Sequence, residues 1–168
     1  GPRKDEKSMA IEKVRDYLKQ WGADTRIREL DASSATVELA AQALGCEPRR
    51  IAKTLSFQTA DGCLLIVAAG DAKVDNARYK ARFETKAKML PFDEVEEKIG
   101  HAVGGVCPFA VKQGVPVYLD ESLRRFDTVF PACGSGNSAI ELALPELEVY
   151  SGAAGWVDVC KGWRDSDE

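Results

Sequence analysis

Leu64-Leu65-Ile66-Val67-Ala68-Ala69 is a continuous apolar run with the length of one β-strand. A strand that is apolar on both faces belongs in the middle of a sheet that is covered on both sides. Asp61-Gly62 precedes the run with a hairpin signal, and Thr54 to Gln58 has the spacing of a partner strand. We therefore expect this hairpin to form the centre of the fold.

Patterns typical of helices and of further strands surround the hairpin. The helical segments are Ile11 to Trp21, ended by Gly22; a segment capped by Ser33 or Ser34 and ended by Gly45; Asp75 to Phe83; Asp93 to Ile99; and a short helix from Pro145. The strand-like segments are 26–30, 87–90, 115–119, 128–130, 139–144 and 156–160. Pro116 places the third of these at a sheet edge. Because helices and strands alternate without a regular βαβ order, we predict a mixed α/β fold with helices around a mixed sheet.

The chain has the length and composition of one globular domain, with 168 residues of which 45% are hydrophobic and 30% charged. No apolar run approaches the roughly 18 residues that span a bilayer, so we expect no membrane insertion. We expect residues 1–8 to be a cloning remnant or a disordered tail, residues 9–160 to form the domain, and residues 161–168 to be a C-terminal tail.

Cysteine and histidine usage limits the redox and metal chemistry. The five cysteines are Cys46, Cys63, Cys107, Cys133 and Cys160. An odd number of widely spaced cysteines in a chain of this size indicates reduced thiols and a cytoplasmic protein. With no CxxC pair and one histidine, we expect neither a metal site nor a cofactor.

Charge is unevenly distributed along the chain, although the net charge is only −4. Residues 49–90 carry 9 basic and 4 acidic side chains, whereas residues 91–168 carry 6 and 14. Salt screens charges beyond about 10 Å, so local sign matters more than the total for attracting a polyanion. The middle third is therefore a candidate nucleic-acid surface, the alternative being a solvated face without a partner.

Two glycine-rich segments stand out as candidate binding loops. They are Gly104 to Phe109 (GGVCPF) and Ala132 to Ala139 (ACGSGNSA). Glycine lets a backbone turn sharply and approach a ligand, and proline then makes the segment rigid. We expect the two loops to form two walls of one cleft and to offer backbone N–H groups. Lys53, at the start of a strand, should point out of the core toward solvent or an anionic ligand.

Two other kinds of chemistry are weaker on sequence grounds. A Cys–His pair would need His101 to activate Cys107 or Cys133, and a small side chain filling loop space is the simpler interpretation of both cysteines. The second glycine loop lacks the Gly-Lys-Ser/Thr ending of a Walker loop, so nucleotide hydrolysis is not expected.

Three separated motifs resemble one known family. They are Ala40 to Phe57 (AAQALGCEPRRIAKTLSF) with Lys53, the GxxxP loop Gly104 to Pro108, and Gly134 to Leu142 (GSGNSAIEL). In this order they closely resemble the YbaK family, aminoacyl-tRNA deacylases related to the editing insertion of bacterial prolyl-tRNA synthetases. The resemblance runs from about Ile11 to Val159. It implies a barrel-like mixed sheet in a single domain.

The resemblance also implies a function. The chain would be a trans-acting, cytoplasmic hydrolase that serves translation fidelity by cleaving the ester of mischarged tRNA of the tRNA(Pro) type. Its partners would be the tRNA acceptor end and a tRNA synthetase, and it would be a monomer or weak homodimer. Cysteine-specific members have a tyrosine after the first helix where this chain has Leu30, so the amino acid removed stays open among Ala, Cys, Ser and Thr.

The resemblance assigns residue roles as well. Gly104 and its neighbours would position the attacking water or the substrate carbonyl, and Lys53 would hold the terminal adenosine or its phosphate. The catalytic set is Lys53, Gly104 and Gly105. The substrate-binding set is Val106, Cys107, Pro108, Cys133, Gly134, Ser135, Gly136, Asn137 and Ser138.

Backbone donors and one cation suffice for such a reaction, because an aminoacyl ester is already activated. Two alternatives remain from the residues alone: a non-catalytic module that binds aminoacyl-tRNA ends, and a cysteine hydrolase acting on peptides or thioesters.

Overall fold

A computed structural model describes the backbone of residues 4–165 and the side chains of residues 10–165. Its strands are β1 Arg28–Glu29, β2 Ile51–Thr59, β3 Gly62–Ala69, β4 Lys73–Val74, β5 Val117–Asp120, β6 Thr128–Pro131, β7 Ser138–Ala139, β8 Leu142–Ala143, β9 Gly155–Val157 and β10 Cys160–Lys161. Its helices are α1 Lys4–Leu18, α2 Val37–Leu44, α3 Asn76–Phe83, α4 Val95–Ile99 and α5 Leu144–Ser151.

Six strands form the central sheet in the order β8-β6-β2-β3-β5-β9. β2 and β3 are the antiparallel hairpin expected from the sequence, and their register runs from Ala52 opposite Ala69 to Thr59 opposite Gly62. β6 and β5 lie parallel to the two hairpin strands on either side. The sheet curls into a half-barrel with helices around it, which confirms the predicted mixed α/β fold.

The hairpin is central because β3 has no exposed face. Residues Cys63 to Ala69 are at most 7% exposed, and the strand lies in the main apolar cluster. Burying each such side chain contributes about 1.5–3 kcal/mol for residues of the size of Val, Leu or Ile. The apolar run therefore acts as predicted, as a strand covered on both sides.

Helix ends follow local chemistry. Gly22, after the 3-10 turn that follows α1, and Gly45, after α2, both adopt left-handed φ values of +68° and +70°. Asp75 caps α3 by accepting from the Ala77 and Arg78 amides. Thr36, and not Ser33 or Ser34, caps α2 by accepting from the Leu39 amide at 3.2 Å. No helix within residues 4–165 is long and apolar enough to cross a membrane.

Two expectations about strands need correction. β5 is not an edge strand, because Pro116 precedes it and β9 pairs along its outer side. The predicted strand 139–144 is broken into β7, which pairs with β1, and β8, which pairs with β6.

Secondary structure extends into parts of both predicted tails. Helix α1 begins at Lys4, inside the segment 1–8 expected to be a tail, of which residues 1–3 lie outside the described residues. At the other end, Lys161 belongs to β10, and the indole of Trp163 donates to the Cys160 carbonyl at 3.3 Å. Of the expected tail 161–168, residues 166–168 lie outside the described part.

Candidate active site

A cleft of about 460 Å³ opens beside the outer edge of β2. Residues 51–56 of β2 form its floor. One wall consists of α2 and the loop before it, beginning at Ser34. The facing walls come from Met89 to Val95, from the first glycine loop and from β6 with the strand after the second loop.

A gap in the sheet creates the cleft. β6 pairs with β2 only at Ile51 and Ala52, and the segment at Met89 joins the same edge only at Phe57. Between these two neighbours, residues 53–55 pair with β3 on one side and have no strand on the outer edge within residues 4–165. The curled sheet therefore leaves an open strand edge as the floor of a site.

The two glycine loops, predicted to form two walls of one cleft, touch through their backbones. A Cβ on Gly105 would lie 2.6 Å from both the carbonyl carbon and the oxygen of Gly134, closer than real Cβ contacts. Ala35 lies close to both loops. Its Cβ is 3.6 Å from the position that a Cβ would take on Gly104 and equally far from that position on Gly136. Gly104 and Gly134 both have a φ of +94°, a conformation that favours glycine. The first two residues of the GxxxP loop therefore need glycine for different reasons, conformation at Gly104 and space at Gly105.

Only part of the predicted site lines the cleft. The members that do are Lys53, Gly104, Val106 and Ser138. Gly105 and Gly134 form the contact between the loops behind it, and Pro108 is buried.

The rest of the second loop stabilises the neighbouring segment. Its atoms bond to one another or to residues 30–34, with Ser135 Oγ 2.7 Å from Ser138 Oγ, Asn137 exchanging bonds with Leu30, and the Gly136 carbonyl accepting from the Ser34 amide. Ser135, Gly136 and Asn137 therefore support a cleft wall, and their substrate-binding role stays a prediction.

The two loop cysteines do not reach the cleft. Cys107 and Cys133 are both 0% exposed, and burial raises the pKa of Cys107 to about 12 and that of Cys133 well above its ordinary value. Their side chains fill the core behind the loops, so the predicted substrate contact by these two residues is corrected to a packing role.

His101 does not activate Cys107 although the two lie close. His101 Nε2 is 2.6 Å from the Phe109 carbonyl and 3.5 Å from Cys107 Sγ. A carbonyl only accepts, so Nε2 must carry the proton and cannot take one from the thiol. Burial also lowers the pKa of His101 to about 4. The arrangement gives no thiolate and no base, which removes the cysteine-hydrolase alternative.

Lys53 is anchored and not free. Its ammonium donates to the Gly70 carbonyl at 3.3 Å and to the carbonyl of Ala72, and desolvation lowers its pKa below the ordinary lysine value. An ammonium has three donors, so one remains for a ligand in the cleft that Lys53 lines. Of the two directions expected for Lys53, toward solvent or toward an anionic ligand, the side chain takes the one toward the cleft.

Two hydroxyl groups in the cleft escaped the sequence analysis. Ser34 Oγ and Thr54 Oγ1 are buried, line the cleft and have no hydrogen-bond partner within the described residues. A buried hydroxyl without a partner costs about 1–3 kcal/mol, which a ligand can recover. The sequence indicates Ser34 only as a candidate helix cap and Thr54 only as a strand residue, and no local pattern distinguishes them from those roles.

Lys53 is the one ionisable side chain among the described residues that line the cleft. No group of three His, Cys, Asp or Glu residues suited to a metal ion occurs in the described part of the chain. The site thus consists of one cation, several hydroxyls and backbone groups on apolar walls. Such a site can bind and polarise an ester, but it supplies no carboxylate or imidazole for proton transfer.

Comparisons with known proteins agree with this architecture. The family model described as aminoacyl-tRNA editing domain matches residues 31–149. The uncharacterized protein YwhH of Bacillus subtilis is 52% identical over 157 residues, covering 93% of this chain and 100% of the relative. A 90-residue stretch is 28% identical to proline–tRNA ligase of Thermotoga maritima, covering 53% of this chain and 15% of the ligase.

Solved structures also show similarity to editing proteins. A crystal structure provisionally assigned as a trans-editing enzyme for prolyl tRNA synthetase superposes with a TM-score of 0.82 at 30% identity, covering 91% of this chain and 98% of that one. The hypothetical protein APE2540 superposes with a TM-score of 0.74 at 26% identity, covering 86% and 99%. By sequence and by structure, this chain belongs to the aminoacyl-tRNA editing domain family.

Proposed function

We propose that the chain is a trans-acting deacylase that hydrolyses the ester of mischarged tRNA of the tRNA(Pro) type, removing Ala, Cys, Ser or Thr. The observation that supports this most directly is the placement of Lys53 and the Gly104 backbone on the same cleft. The likeness to a provisionally assigned prolyl trans-editing enzyme supports the tRNA type.

Each part of the site has a role in this proposal. The free donor of Lys53 binds the terminal adenosine or its phosphate, and backbone N–H groups around Gly104 stabilise the oxyanion that forms at the ester carbonyl. Donors held in place for a developing oxyanion are worth about 10²–10³ in rate each. Gly105 acts indirectly, because its close contact with Gly134 fixes the loop.

The substrate supplies the proton transfer in this mechanism. Lys53 is bound to two carbonyls, and the described cleft lining offers no other ionisable side chain. The vicinal hydroxyl of the terminal ribose lies beside the ester and is placed to assist either the attacking water or the leaving oxygen. General acid–base help of this kind is worth about 10²–10⁴ in rate.

A substrate lacking that hydroxyl tests the step. Mischarged tRNA ending in 2′-deoxyadenosine, with the aminoacyl group on the 3′ oxygen, should bind about as well as normal tRNA and be hydrolysed at least about a hundredfold more slowly. Single-turnover rates at saturating enzyme give the comparison. Equal rates for the two substrates would assign the proton transfer to the protein.

A deacylation panel tests the function itself. Transfer RNA(Pro) charged with Pro, Ala, Cys, Ser or Thr is incubated with the protein, and the remaining ester is measured over time. We expect rapid loss of at least one of the four non-cognate esters and preservation of prolyl-tRNA. Binding without hydrolysis of any of them would instead identify a non-catalytic module.

A further inference from the structure

We propose that the open edge of β2 at Thr54 binds the aminoacyl group of the substrate as though it were one more residue of the sheet. This inference rests on the proposed function and adds to it the part of the protein that recognises the free α-amino group. It arises from the unpaired main chain and the two unpartnered hydroxyls of the cleft.

The main chain of Thr54 faces the cleft. Along an antiparallel strand, alternate residues direct their N–H and C=O groups to opposite neighbours. On β2, the Ser56 carbonyl accepts from the Leu90 amide and the Gln58 amide donates to the Lys88 carbonyl, both on the outer edge. Thr54 lies two residues before Ser56 and so directs both of its groups to the same edge.

The hydrogen bonds of β3, the strand opposite β2 in the hairpin, also show that the main chain of Thr54 faces the cleft. Leu65, the partner of Ser56, directs its amide to the Pro116 carbonyl, away from β2. Ala69, the partner of Ala52, directs its amide to Ser122 Oγ, also away from β2. The pairs that include Ala52, Thr54 and Ser56 are therefore the ones that do not bond across the hairpin.

An aminoacyl ester matches this edge chemically. It carries a donor, the α-amino group, and an acceptor, the carbonyl oxygen, on either side of one carbon, as an amino-acid residue does. In an antiparallel hydrogen-bonded pair, two residues exchange their N–H and C=O bonds. The α-amino group therefore donates to the Thr54 carbonyl. The ester carbonyl accepts from the Thr54 amide with one lone pair and keeps the other for the N–H groups around Gly104.

The unpartnered hydroxyls complete the α-amino site. An ammonium has three hydrogens, and one is taken by the Thr54 carbonyl in this arrangement. Thr54 Oγ1 and Ser34 Oγ, both buried, lining the cleft and unpartnered within the described residues, can accept the other two. The side chains of Lys53 and Thr54 leave the strand on opposite faces, which keeps the lysine ammonium apart from the bound α-amino group.

Pairs of non-hydrolysable analogues test the inference. Each is 3′-amino-3′-deoxyadenosine carrying, in amide linkage, an alanyl, cysteinyl, seryl or threonyl group, or the same acyl group without its α-amino group. Hydrogen bonds to a charged group are stronger than those between neutral groups, so the amino form should bind at least about tenfold more tightly than its deamino partner. Calorimetry or competition against mischarged tRNA gives the two dissociation constants.

Variants locate the effect. Thr54→Val keeps the shape and Ser34→Ala removes only a hydroxyl, and each should weaken the amino analogue at least about fivefold while leaving the deamino analogue unchanged. Thr59→Val is the matched control on the same strand outside the cleft and should change neither. Thermal melting of each variant confirms that it is folded.

The outcomes separate the two proposals. Equal binding of amino and deamino forms by the wild-type protein would overturn this inference and leave the deacylase function standing. Equal weakening of both forms by Thr54→Val would do the same. Failure of every analogue to bind, together with no hydrolysis in the tRNA panel, would overturn the proposed function.

Discussion

Burial governs the chemistry of His101 and Cys107, the two residues whose types most suggest a catalytic pair. His101 is 2% exposed, its Nε2 donates to the Phe109 carbonyl, and its Nδ1 has no partner within the described residues. Charging this ring inside the core is costly, because the core offers no counterion to replace water. The same burial that prevents catalysis by both residues gives His101 a lower pKa in the folded protein than in the unfolded chain.

Stability should therefore rise with pH through the titration of His101. The pKa is about 4 in the folded protein against an ordinary 6.5, so between these values the unfolded chain binds more protons and acid favours unfolding. At 1.36 kcal/mol per pKa unit, the whole effect is about 3 kcal/mol. His101→Gln, which retains a donor but does not titrate, should flatten the dependence of unfolding free energy on pH in this window.

The chain has one histidine, so NMR titration of its ring protons needs no assignment step. A folded-state midpoint near 6.5 would contradict the expected burial of the ring.

Lys53 should affect both activity and stability. Lys53→Ala removes the free donor in the cleft and should slow single-turnover deacylation at least about a hundredfold. It also leaves the Gly70 and Ala72 carbonyls without their donor, so unfolding should become easier by about 1–3 kcal/mol. Lys73→Ala, at an exposed lysine on β4, is the control and should change neither. An activity loss that matched the fraction of unfolded protein would refute the assignment.

At the scale of elements, regular patterns were predictable and the gap between elements was not. The apolar run 64–69 and the Asp61-Gly62 turn indicate the β2–β3 hairpin directly, and Gly22 and Gly45 mark helix ends. The open edge at Thr54 depends on where β6 and the Met89 segment stop pairing, which is a property of the curled sheet and not of the β2 sequence. For the same reason, Ser34 reads locally as a cap although Thr36 does the capping.

The site residues were likewise predictable from the sequence only in part. The glycines predicted two loops forming two walls of one cleft, but the backbone contact between Gly105 and Gly134 is visible only in the structure. Whether a neighbouring side chain points into the cleft or behind it depends on tertiary packing. Val106 lines the cleft while the adjacent Cys107 is in the core.

The contact between the loops should be intolerant of a single methyl group. In Gly105→Ala the new Cβ would meet backbone atoms of Gly134 and Ser135 at 2.6–2.7 Å, and backbone cannot move aside cheaply. Overpacking of this kind costs about 1–3 kcal/mol and should displace the Gly104 backbone, with a loss of activity larger than the loss of stability. Gly155→Ala is the control, since a Cβ there meets nothing within 4 Å. Thermal melting and deacylation rates, compared for the two variants, decide the outcome, and equal behaviour would argue against a tight loop contact.

At the scale of the whole molecule, six of the nine basic residues of the middle third form two groups, one held in ion pairs and one not. Arg49, Arg50 and Arg78 are held in ion pairs with Glu47, Glu141 and Asp158. Lys80, Lys86 and Lys88 are exposed and form no ion pair within the described residues. Lys88 immediately precedes Met89, which lies on the rim of the cleft and is 53% exposed. The unpaired lysines are thus the ones available to a phosphate backbone near the site.

Removing these lysines should weaken tRNA binding in a salt-dependent way. Lys86→Ala and Lys88→Ala should each lower affinity at low salt and reduce the slope of log affinity against log salt by up to about 0.9. Lys161→Ala, an exposed lysine in the acidic third, is the control and should leave the slope unchanged. Affinity measured from low to physiological salt gives the slopes. An unchanged slope in both lysine variants would place the acceptor stem on another surface.

The open edge of β2 also has a consequence for hydrogen–deuterium exchange. In the free protein the amides of Lys53 and Leu55 bond across the hairpin, whereas the Thr54 amide between them has no partner among the described residues. Deuterium should therefore enter at Thr54 long before it enters at its two neighbours, without any unfolding of the sheet. A bound aminoacyl analogue would accept a hydrogen bond from the Thr54 amide. Slower exchange at this one amide would therefore show that the site is occupied.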